Sequence, residues 1–346
     1  RGLGDVYKRQ KLDLLTFGEV LLRLSPEGNE RLTQGDHFMK RVGGAELNVA
    51  AGASMLGLST GIISRIPAHA IGNYAKSQIQ GMGVSTEYLL PDNGEARLGI
   101  YYYETGIQPR KPQIVYDRKY SSINSVSEKD FSDSMYHSAR CFHTSGISLG
   151  LGGNVRKTAM VMIRRFKEAG ALISFDVNYR RNLWSGEEAR NCIAEILPYV
   201  DIFFCSESTA KLTFLKTGTL DEILKGFAEE YSIPWVVATK RIVHTPQCHS
   251  FNSVAYEKQT KKVYKQTGYD NISVVDRIGS GDAYVAGFLY GLLSKNGNCE
   301  NAVSYGNASG ALKNTVIGDM MLTDINEITK MVELNRGLIS DFEMAR

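Results

Sequence analysis

Short apolar runs alternate with longer helical segments along most of this chain. From residue 127 onward the alternation is regular, since each apolar run is followed by an amphipathic or small-residue segment. This rhythm predicts a mostly parallel sheet covered by helices on both faces, with ligands beyond the carboxyl ends of its strands. Strands are predicted at 141–144, 172–175, 202–205 and 235–238, a hairpin at 251–266, and helices at 154–169, 187–197, 208–216, 220–231, 282–294, 299–314 and 324–334.

The first third of the chain contains a segment of different character. Strands are predicted at 12–17, 20–24 and 61–64, and helices at 45–56 and 70–80. Between 97 and 122, two aromatic and β-branched strands, 100–103 and 113–116, are joined by a segment with Gly and Pro. We expect one α/β domain over 12–335, with a small β lid formed by about 20–38 and 97–122. Residues 1–11 are expected to be a disordered or non-native leader, and 336–346 a C-terminal tail.

Composition and charge are those of an ordinary globular protein. Of 346 residues, 43% are apolar and 22% charged, and the formal net charge is +3. This balance does not favour nucleic acid or a membrane surface as partner. No uninterrupted apolar run in the sequence reaches the ~18 residues of a membrane span. The five cysteines are scattered without a Cys-x-x-Cys pair, which fits a reducing cytoplasm rather than a disulfide framework or zinc site.

Residues 276–288 carry the strongest chemical signal. A strand predicted at 272–275 runs into a Gly-Ser-Gly loop, and Asp282 follows at the start of a long apolar helix. The N-terminus of a helix has unpaired N–H groups, and glycines let a phosphate approach them. A carboxylate beside such a site can act as a general base. For the short motif alone, a simple N-cap is the alternative explanation.

Three further segments offer candidate ligand contacts. In 43–50, two glycines open a helix and Asn48 lies one turn in; a tight turn is the alternative. Tyr116 and Arg118 are two apart on a predicted strand opposite Tyr101, and could grip a carboxylate. The alternative there is a solvated strand face with the arginine over a ring. In 176–180 an Asp, an Asn and an Arg end a strand, where an internal ion pair would also account for them.

Two nucleotide-binding patterns are not supported. Residues 145–153 contain four glycines after a predicted strand, but the third glycine of a Gly-x-Gly-x-x-Gly fingerprint is missing. The chain also has no Gly-x-x-x-x-Gly-Lys-Ser/Thr sequence. We therefore expect neither a Rossmann dinucleotide site nor a P-loop.

The string 276–288 resembles the C-terminal signature of the ribokinase-like (PfkB) carbohydrate kinases, and 43–50 resembles their N-terminal signature. The likeness extends from about residue 12 to 334, with the motifs in the family's order. It implies a ribokinase-like three-layer α/β sandwich with a mostly parallel sheet and a small β lid. The roles implied are a catalytic base at Asp282, an anion hole at Gly279, Ser280 and Gly281, sugar contacts at Gly43, Gly44 and Asn48, a phosphate contact at Arg180, and nucleotide contacts at Asn178 and Asn307.

The resemblance also bears on the substrate. The Gly-Gly-Ala-Glu sequence at 43–46 and the Tyr-x-Arg pair are similar to those of 2-keto-3-deoxygluconate kinases. In these kinases the pair binds the carboxylate of the sugar acid. The resemblance therefore implies an acidic sugar, held by Tyr101, Tyr116 and Arg118.

Two elements on the nucleotide side depart from the family's pattern. The usual Asn-x-x-Glu, whose Glu helps to organise Mg²⁺, is Ser206-Glu207-Ser208-Thr209 here, so Glu207 is displaced as a metal residue. The usual Thr-x-Gly-x-x-Gly begins Thr239-Lys240-Arg241 and lacks both glycines. Lys240 and Arg241 can bind phosphate by charge instead.

The sequence thus predicts a cytoplasmic, ATP- and Mg²⁺-dependent kinase of 2-keto-3-deoxygluconate. The resemblance leaves a monovalent cation open and implies a homo-oligomer, a dimer or larger, paired through lid strands. Two alternatives stay open: a fructokinase-like enzyme for a neutral ketose, and a non-catalytic sugar-acid-binding protein on the same fold.

Overall fold

A sheet of eleven strands forms the centre of the computed structural model, which describes residues 11–340. The strands of the whole described chain are β1 (Leu12–Phe17), β2 (Leu21–Pro26), β3 (Phe38–Gly43), β4 (Thr60–Pro67), β5 (Val84–Ser85), β6 (Leu89–Asp92), β7 (Gly99–Glu104), β8 (Gln113–Asp117), β9 (Ala139–Ser145), β10 (Leu172–Asp176), β11 (Ile202–Phe204), β12 (Trp235–Thr245), β13 (Cys248–Glu257), β14 (Lys262–Lys265) and β15 (Tyr269–Ser273). The order in the central sheet is β14-β13-β12-β11-β10-β9-β1-β4-β5, with β15 beside β13 and β6 beside β4. The strands from β5 to β12 in this order pair in parallel, and the pairs that β13 makes are antiparallel.

Helices cover both faces of this sheet. They are α1 (Ala45–Met55), α2 (Ala70–Gly81), α3 (Asp133–Tyr136), α4 (Gly146–Gly150), α5 (Gly153–Glu168), α6 (Gly186–Ile196), α7 (Glu207–Leu212), α8 (Leu220–Glu230), α9 (Ser280–Leu293), α10 (Cys299–Lys313) and α11 (Ile325–Asn335). Neighbouring residues of one strand lie in different cores: Phe203 packs with α5, α6 and α8, whereas Phe204 packs with α9 and α10. Strands buried on both faces read as continuous apolar runs, and the predicted three-layer α/β fold is confirmed.

A second sheet of four strands stands apart from the central one. Its order is β3-β2-β7-β8, in which β2 and β7 are parallel and the outer pairs antiparallel. We call this sheet the lid. Its strands lie in or directly beside the segments 20–38 and 97–122. Of the leader and the tail expected from the sequence, residues 1–10 and 341–346 lie outside the described residues.

The structure corrects two predicted strands near the site. The strand expected at 235–238 continues to Thr245 and pairs with β13 as a long hairpin. Both glycines of the Thr-x-Gly-x-x-Gly pattern are missing here, and the β-branched pair Ile242 and Val243 favours continuation of the strand. The strand expected at 272–275 ends at Ser273. The Val274 N–H donates to Gln247 O, but the N–H groups of Val275 and Asp276 both donate to Asn314 O, outside the sheet.

Candidate active site

The main cleft lies between the lid and the carboxyl ends of the central strands. Its cavity has a volume of about 700 Å³. It is lined from the lid, from the start of α1, from the segment after β10 and from residues 277–282. Elements far apart in sequence therefore contribute to one polar cavity, at the sheet edge where ligands were predicted.

The glycine loop before α9 has the shape of an anion site. Gly279 has φ +81° and lies so close to Asp319 that a Cβ atom there would be 1.8 Å from the Asp319 carbonyl oxygen. A Cβ atom at Gly281, by contrast, would meet no atom within 4 Å. The loop thus requires glycine at its base and leaves the first turn of α9 open to a ligand. Residues 279–281 all line the cavity. The Ser280 N–H makes only a long bond, to Arg277 O at 3.3 Å, and the positive end of the helix favours an anion at this position.

Asp282 lies in the first turn of α9, beside this loop. Its Oδ2 accepts a hydrogen bond from Asn48 Nδ2 at 2.7 Å, and its Oδ1 accepts a longer one from Asn178 Nδ2 at 3.5 Å. Burial raises the pKa of Asp282 to about 6, against the lowering effect of Asn48 and of the nearby Arg180 charge. Such a carboxylate is ionised at neutral pH but a better base than a free aspartate.

A second carboxyl group, Asp176, ends β10 on the same side of the cavity. Burial raises the pKa of Asp176 to about 7, and the charge of Asp282 adds to the increase. Its Oδ1 accepts from the backbone N–H of Asn178, at 3.1 Å, and Asn178 adopts φ +36°. This turn directs residues 178–180 into the cavity.

Three arginines face the cavity near the glycine loop. Arg180, Arg241 and Arg277 all line it. Desolvation in the cleft, together with the charges of Arg277 and Arg180, lowers the pKa of Arg241. Arg277 Nε is buried and has no hydrogen-bond partner among the described residues. A polyanion would relieve this repulsion and supply the acceptor.

The glycines at the start of α1 allow a close approach between chain segments. Gly44 has φ +138°, and a Cβ atom there would lie 2.2 Å from Glu19 O. A Cβ atom at Gly43 would lie 2.1 Å from Asp319 Oδ2. Gly44 and Asn48 line the cavity, whereas Gly43 lies behind it against Asp319.

The lid residues predicted from the sequence lie together, but each already has a protein partner. Arg118 follows the end of β8 and donates from Nε to Glu19 Oε2 at 2.8 Å. The guanidinium also lies 5.4 Å from the centre of the Tyr116 ring. The Tyr101 hydroxyl bonds to Asp319 Oδ2, and its ring is 5.9 Å from that of Tyr116. All three line the cavity.

Three acidic residues of the cavity were missed at the sequence level. Glu19 is buried and accepts from Arg118 and Ser121. Glu46 is buried and its Oε1 accepts from the Ser145 hydroxyl at 2.7 Å; burial raises its pKa. Asp319 binds Arg23 of the lid at 2.9 Å. Their partners lie far away in sequence, so the only available signal was an acidic residue next to a glycine motif.

The nucleotide-side residues divide into two groups. Ser206 and Thr239 line a smaller cavity of about 190 Å³, which shares Asn178, Arg180 and Gly281 with the main one. Outside both cavities lie Lys240, which is exposed, and Asn307, which is fully buried and accepts from Ser253 Oγ at 2.7 Å. These two residues are not brought to the cleft.

A protein-built metal site is not found in residues 11–340. No group of three or more His, Cys, Asp or Glu side chains there could hold a metal ion. Glu207 is paired with Lys211 at 2.7 Å on the surface of α7. Within the same range, no helix is both long and apolar enough to span a membrane.

Comparison with known proteins gives a consistent result. The family model described as "pfkB family carbohydrate kinase" matches residues 11–324. A 2-dehydro-3-deoxygalactonokinase of Haloferax volcanii is 32% identical over 320 residues, covering 92% of this chain and 96% of that protein. A 2-dehydro-3-deoxygluconokinase of Bacillus subtilis is 26% identical over 311 residues, covering 90% and 92%.

Solved structures share the whole fold. The crystal structure of 2-dehydro-3-deoxygluconokinase from Thermotoga maritima has a TM-score of 0.87 and 30% identity, and covers 93% of this chain and 99% of its own. A putative ribokinase II of E. coli, described as a complex with ATP and Mg²⁺, has a TM-score of 0.78 at 20% identity, and covers 93% and 99%. This second likeness concerns the fold alone.

Proposed function

The chain belongs to the pfkB family of carbohydrate kinases, and we propose that it transfers the γ-phosphoryl group of ATP to a primary hydroxyl of a 2-keto-3-deoxy sugar acid, 2-keto-3-deoxygluconate first. The observation that carries the proposal is the position of Asp282. Its carboxylate lies in the first turn of α9, held by Asn48 and adjoining the open glycine loop. A base and an anion site are thus adjacent, as transfer to an alcohol requires.

In the proposed reaction, Asp282 accepts a proton and the anion site stabilises charge. The substrate hydroxyl oxygen attacks the γ-phosphorus, the bond between that phosphorus and the bridging oxygen breaks, and ADP leaves. The hydroxyl proton passes to Asp282. The N–H groups of residues 279–281 and the Arg180 guanidinium stabilise the charge on the moving phosphoryl group.

The basic wall of the cleft fits the polyphosphate of ATP. Arg180, Arg241 and Arg277 face the cavity, and Arg277 Nε has no other acceptor in residues 11–340. The smaller cavity with Ser206 and Thr239 continues from Gly281. Kinases of this family use ATP, and when Mg²⁺ is bound with the nucleotide it neutralises phosphate charge. The lack of a carboxylate cluster in the described residues fits a metal ion carried mainly by the phosphates and water.

The substrate class is inferred from the lid and from the relatives. Tyr101, Tyr116 and Arg118 line the same cavity as Asp282, and an arginine can bind a carboxylate through two parallel bonds. The similar proteins are named as kinases of 2-dehydro-3-deoxygalactonate and 2-dehydro-3-deoxygluconate. Those names fit a substrate with a carboxylate at the lid and a hydroxyl at Asp282.

A neutral ketose is the second candidate substrate, because of Glu19. This buried carboxylate already neutralises Arg118. If Glu19 keeps that pairing when substrate binds, little positive charge remains to favour an acid over fructose.

We also propose that the protein is a homo-oligomer that associates through its lid. Phe38, Met39 and Val115 of the lid strands are each exposed by 44% or more, and β3 and β8 are the outer strands of this sheet among residues 11–340. Exposed apolar edges favour pairing with a second copy. Sedimentation equilibrium of the wild type and of a Val115→Lys variant tests this; a monomeric wild type would exclude it.

The function is tested by incubating the protein with Mg-ATP and one of 2-keto-3-deoxygluconate, 2-keto-3-deoxygalactonate, fructose or ribose, and measuring ADP release. Release confined to the acids supports the proposal. Release with fructose alone supports the second candidate, and release with ribose alone would contradict selection of a carboxylate without supporting a ketose. Binding of a sugar acid without ADP release would instead indicate a non-catalytic binding protein.

A further inference from the structure

Lys313 is a buried ammonium group that has no part in the proposed phosphoryl transfer. It is the last residue of α10 and its side chain has no exposed surface. Its Nζ donates to two backbone carbonyl oxygens, Asp276 O at 3.1 Å and Val316 O at 2.9 Å. Hence a cation is enclosed directly behind the start of the glycine loop.

The two carbonyl groups belong to segments that together form the loop's support. Besides binding the Lys313 ammonium through its carbonyl, Asp276 accepts from Gly318 N–H through Oδ2 at 3.0 Å, and its own N–H donates to Asn314 O at 3.1 Å. Asp319 O lies against Gly279, as described above. Residues 313–319 therefore pack against residues 276–279 and bond to them, and the Lys313 ammonium links the two segments.

Burying the Lys313 ammonium costs desolvation free energy that an apolar side chain at this position would not. Burial lowers the pKa of Lys313 to about 8, although the charges of Asp276, Asp319 and Asp282 favour the ammonium form. The charge of the Arg23 guanidinium, which is bound to both Asp276 and Asp319, also lowers the pKa of Lys313. Two convergent carbonyl oxygens are hard ligands that suit a small cation, and the ammonium satisfies them with two of its three donors.

We infer that Lys313 is a positioning residue, which supplies from within the chain the cation that holds the glycine loop in its anion-binding shape. The inference deepens the proposed function, because the loop is the one assigned there to the transferred phosphoryl group. Its consequence is that the wild-type enzyme needs no added monovalent cation.

Chemical rescue of a Lys313→Ala variant tests this. The substitution removes the ammonium and its stem and leaves the two carbonyl groups facing a space of cation size. We expect kcat/KM for ATP to fall by ~10-fold or more, as for loss of a group that shapes an anion site. Ammonium chloride, and potassium chloride to a smaller degree, should restore a large part of the loss, relative to tetramethylammonium chloride at equal ionic strength. Wild type and the surface variant Lys330→Ala should respond to none of these salts.

A second readout does not depend on catalysis. The Tm of Lys313→Ala should rise with ammonium over tetramethylammonium chloride, because an ion that binds only the folded state stabilises it, whereas the wild-type Tm should be equal in both salts. The Tm can be measured even if no sugar is phosphorylated. Failure of the proposed function can therefore be distinguished from failure of the inference about Lys313. Full activity in Lys313→Met, or a Lys313→Ala protein whose Tm and activity ignore ammonium, would overturn the inference.

Discussion

Asn48 Nδ2 lies 2.7 Å from Asp282 Oδ2, although the two residues are 234 positions apart in the sequence. One belongs to the helix that follows the first glycine pair, the other to the helix that follows the glycine loop. The bond fixes one carboxylate oxygen and leaves the other, near Asn178, to receive a proton. The two sequence signatures thus meet at one carboxylate, the proposed catalytic base.

Replacing Asp282 by Ala is expected to lower kcat by at least ~10²-fold, the low end of what general-base catalysis contributes. Binding of the sugar acid should persist, because the lid and Asn48 remain. Steady-state kinetics and calorimetric titration of the sugar measure the two effects. Asp270→Ala, a change at an exposed position of β15, is the matched control and should behave as wild type. Near-normal turnover in Asp282→Ala would remove the base from the proposed mechanism.

Activity is expected to depend on pH through the same carboxylate. Burial raises the pKa of Asp282 to about 6, so the group protonates at a higher pH than free aspartic acid. The base form is lost below that value, and kcat/KM should fall as pH drops through about 6. The Asn48 hydrogen bond opposes this rise; in Asn48→Ala the acidic limb should therefore move to higher pH. A limb at the same pH in both proteins would contradict the assignment.

Arg118→Ala should weaken the binding of 2-keto-3-deoxygluconate far more than that of fructose. Loss of a charge-assisted bond to a carboxylate predicts a ~10- to 100-fold higher KM for the acid. Arg97→Ala is the matched control, since that arginine pairs with the exposed Asp117 on the same lid. Initial-rate kinetics with both sugars measure the ratio, and an equal loss for both would exclude selection by Arg118.

Glu19→Gln should change the KM for the sugar acid in the opposite direction to Arg118→Ala. Glu19 competes for the Arg118 guanidinium, so removing its negative charge should lower the KM for 2-keto-3-deoxygluconate and leave that for fructose unchanged. Initial-rate kinetics with both sugars measure the two KM values. A higher KM for the acid would show that Glu19 acts mainly by holding Arg118 in position.

The lid is expected to depend on one buried guanidinium for its attachment. Arg23 in β2 binds Asp276 at 2.5 Å and Asp319 at 2.9 Å, with all three side chains at most 3% exposed. Arg23→Met leaves two buried carboxylates unpaired and should cost ~3–5 kcal/mol of unfolding free energy. Arg140→Met breaks a half-exposed pair with Asp13 and should cost less than ~1 kcal/mol. Urea unfolding measures both; equal effects would contradict this account of the lid.

The glycine loop and its helix could be predicted from the sequence because their signals are local. Gly279 is required by its own φ of +81°, and the apolar run after Asp282 predicts a buried helix. Asn48 could be placed one turn into α1 for the same reason. In such segments, neighbouring residues suffice to determine the backbone.

The pairing of charges could not be predicted, because tertiary structure decides it. Nothing in the sequence indicates that Arg118 meets Glu19 or that Lys313 reaches Asp276 O. The continuation of β12 to Thr245 was missed for a related reason. The apolar run predicted a strand only over 235–238, whereas the pairing with β13 extends it through the mostly polar residues that follow.

The central claim, phosphoryl transfer to a 2-keto-3-deoxy sugar acid by Asp282, is tested most directly by ³¹P NMR. Mg-ATP and 2-keto-3-deoxygluconate are incubated with the wild type, with Asp282→Ala and without protein. We predict a new phosphomonoester resonance that grows with the ADP signals in the wild-type sample and is absent from the other two. Wild-type spectra that show only ATP, or ADP with inorganic phosphate and no sugar phosphate, would contradict the claim.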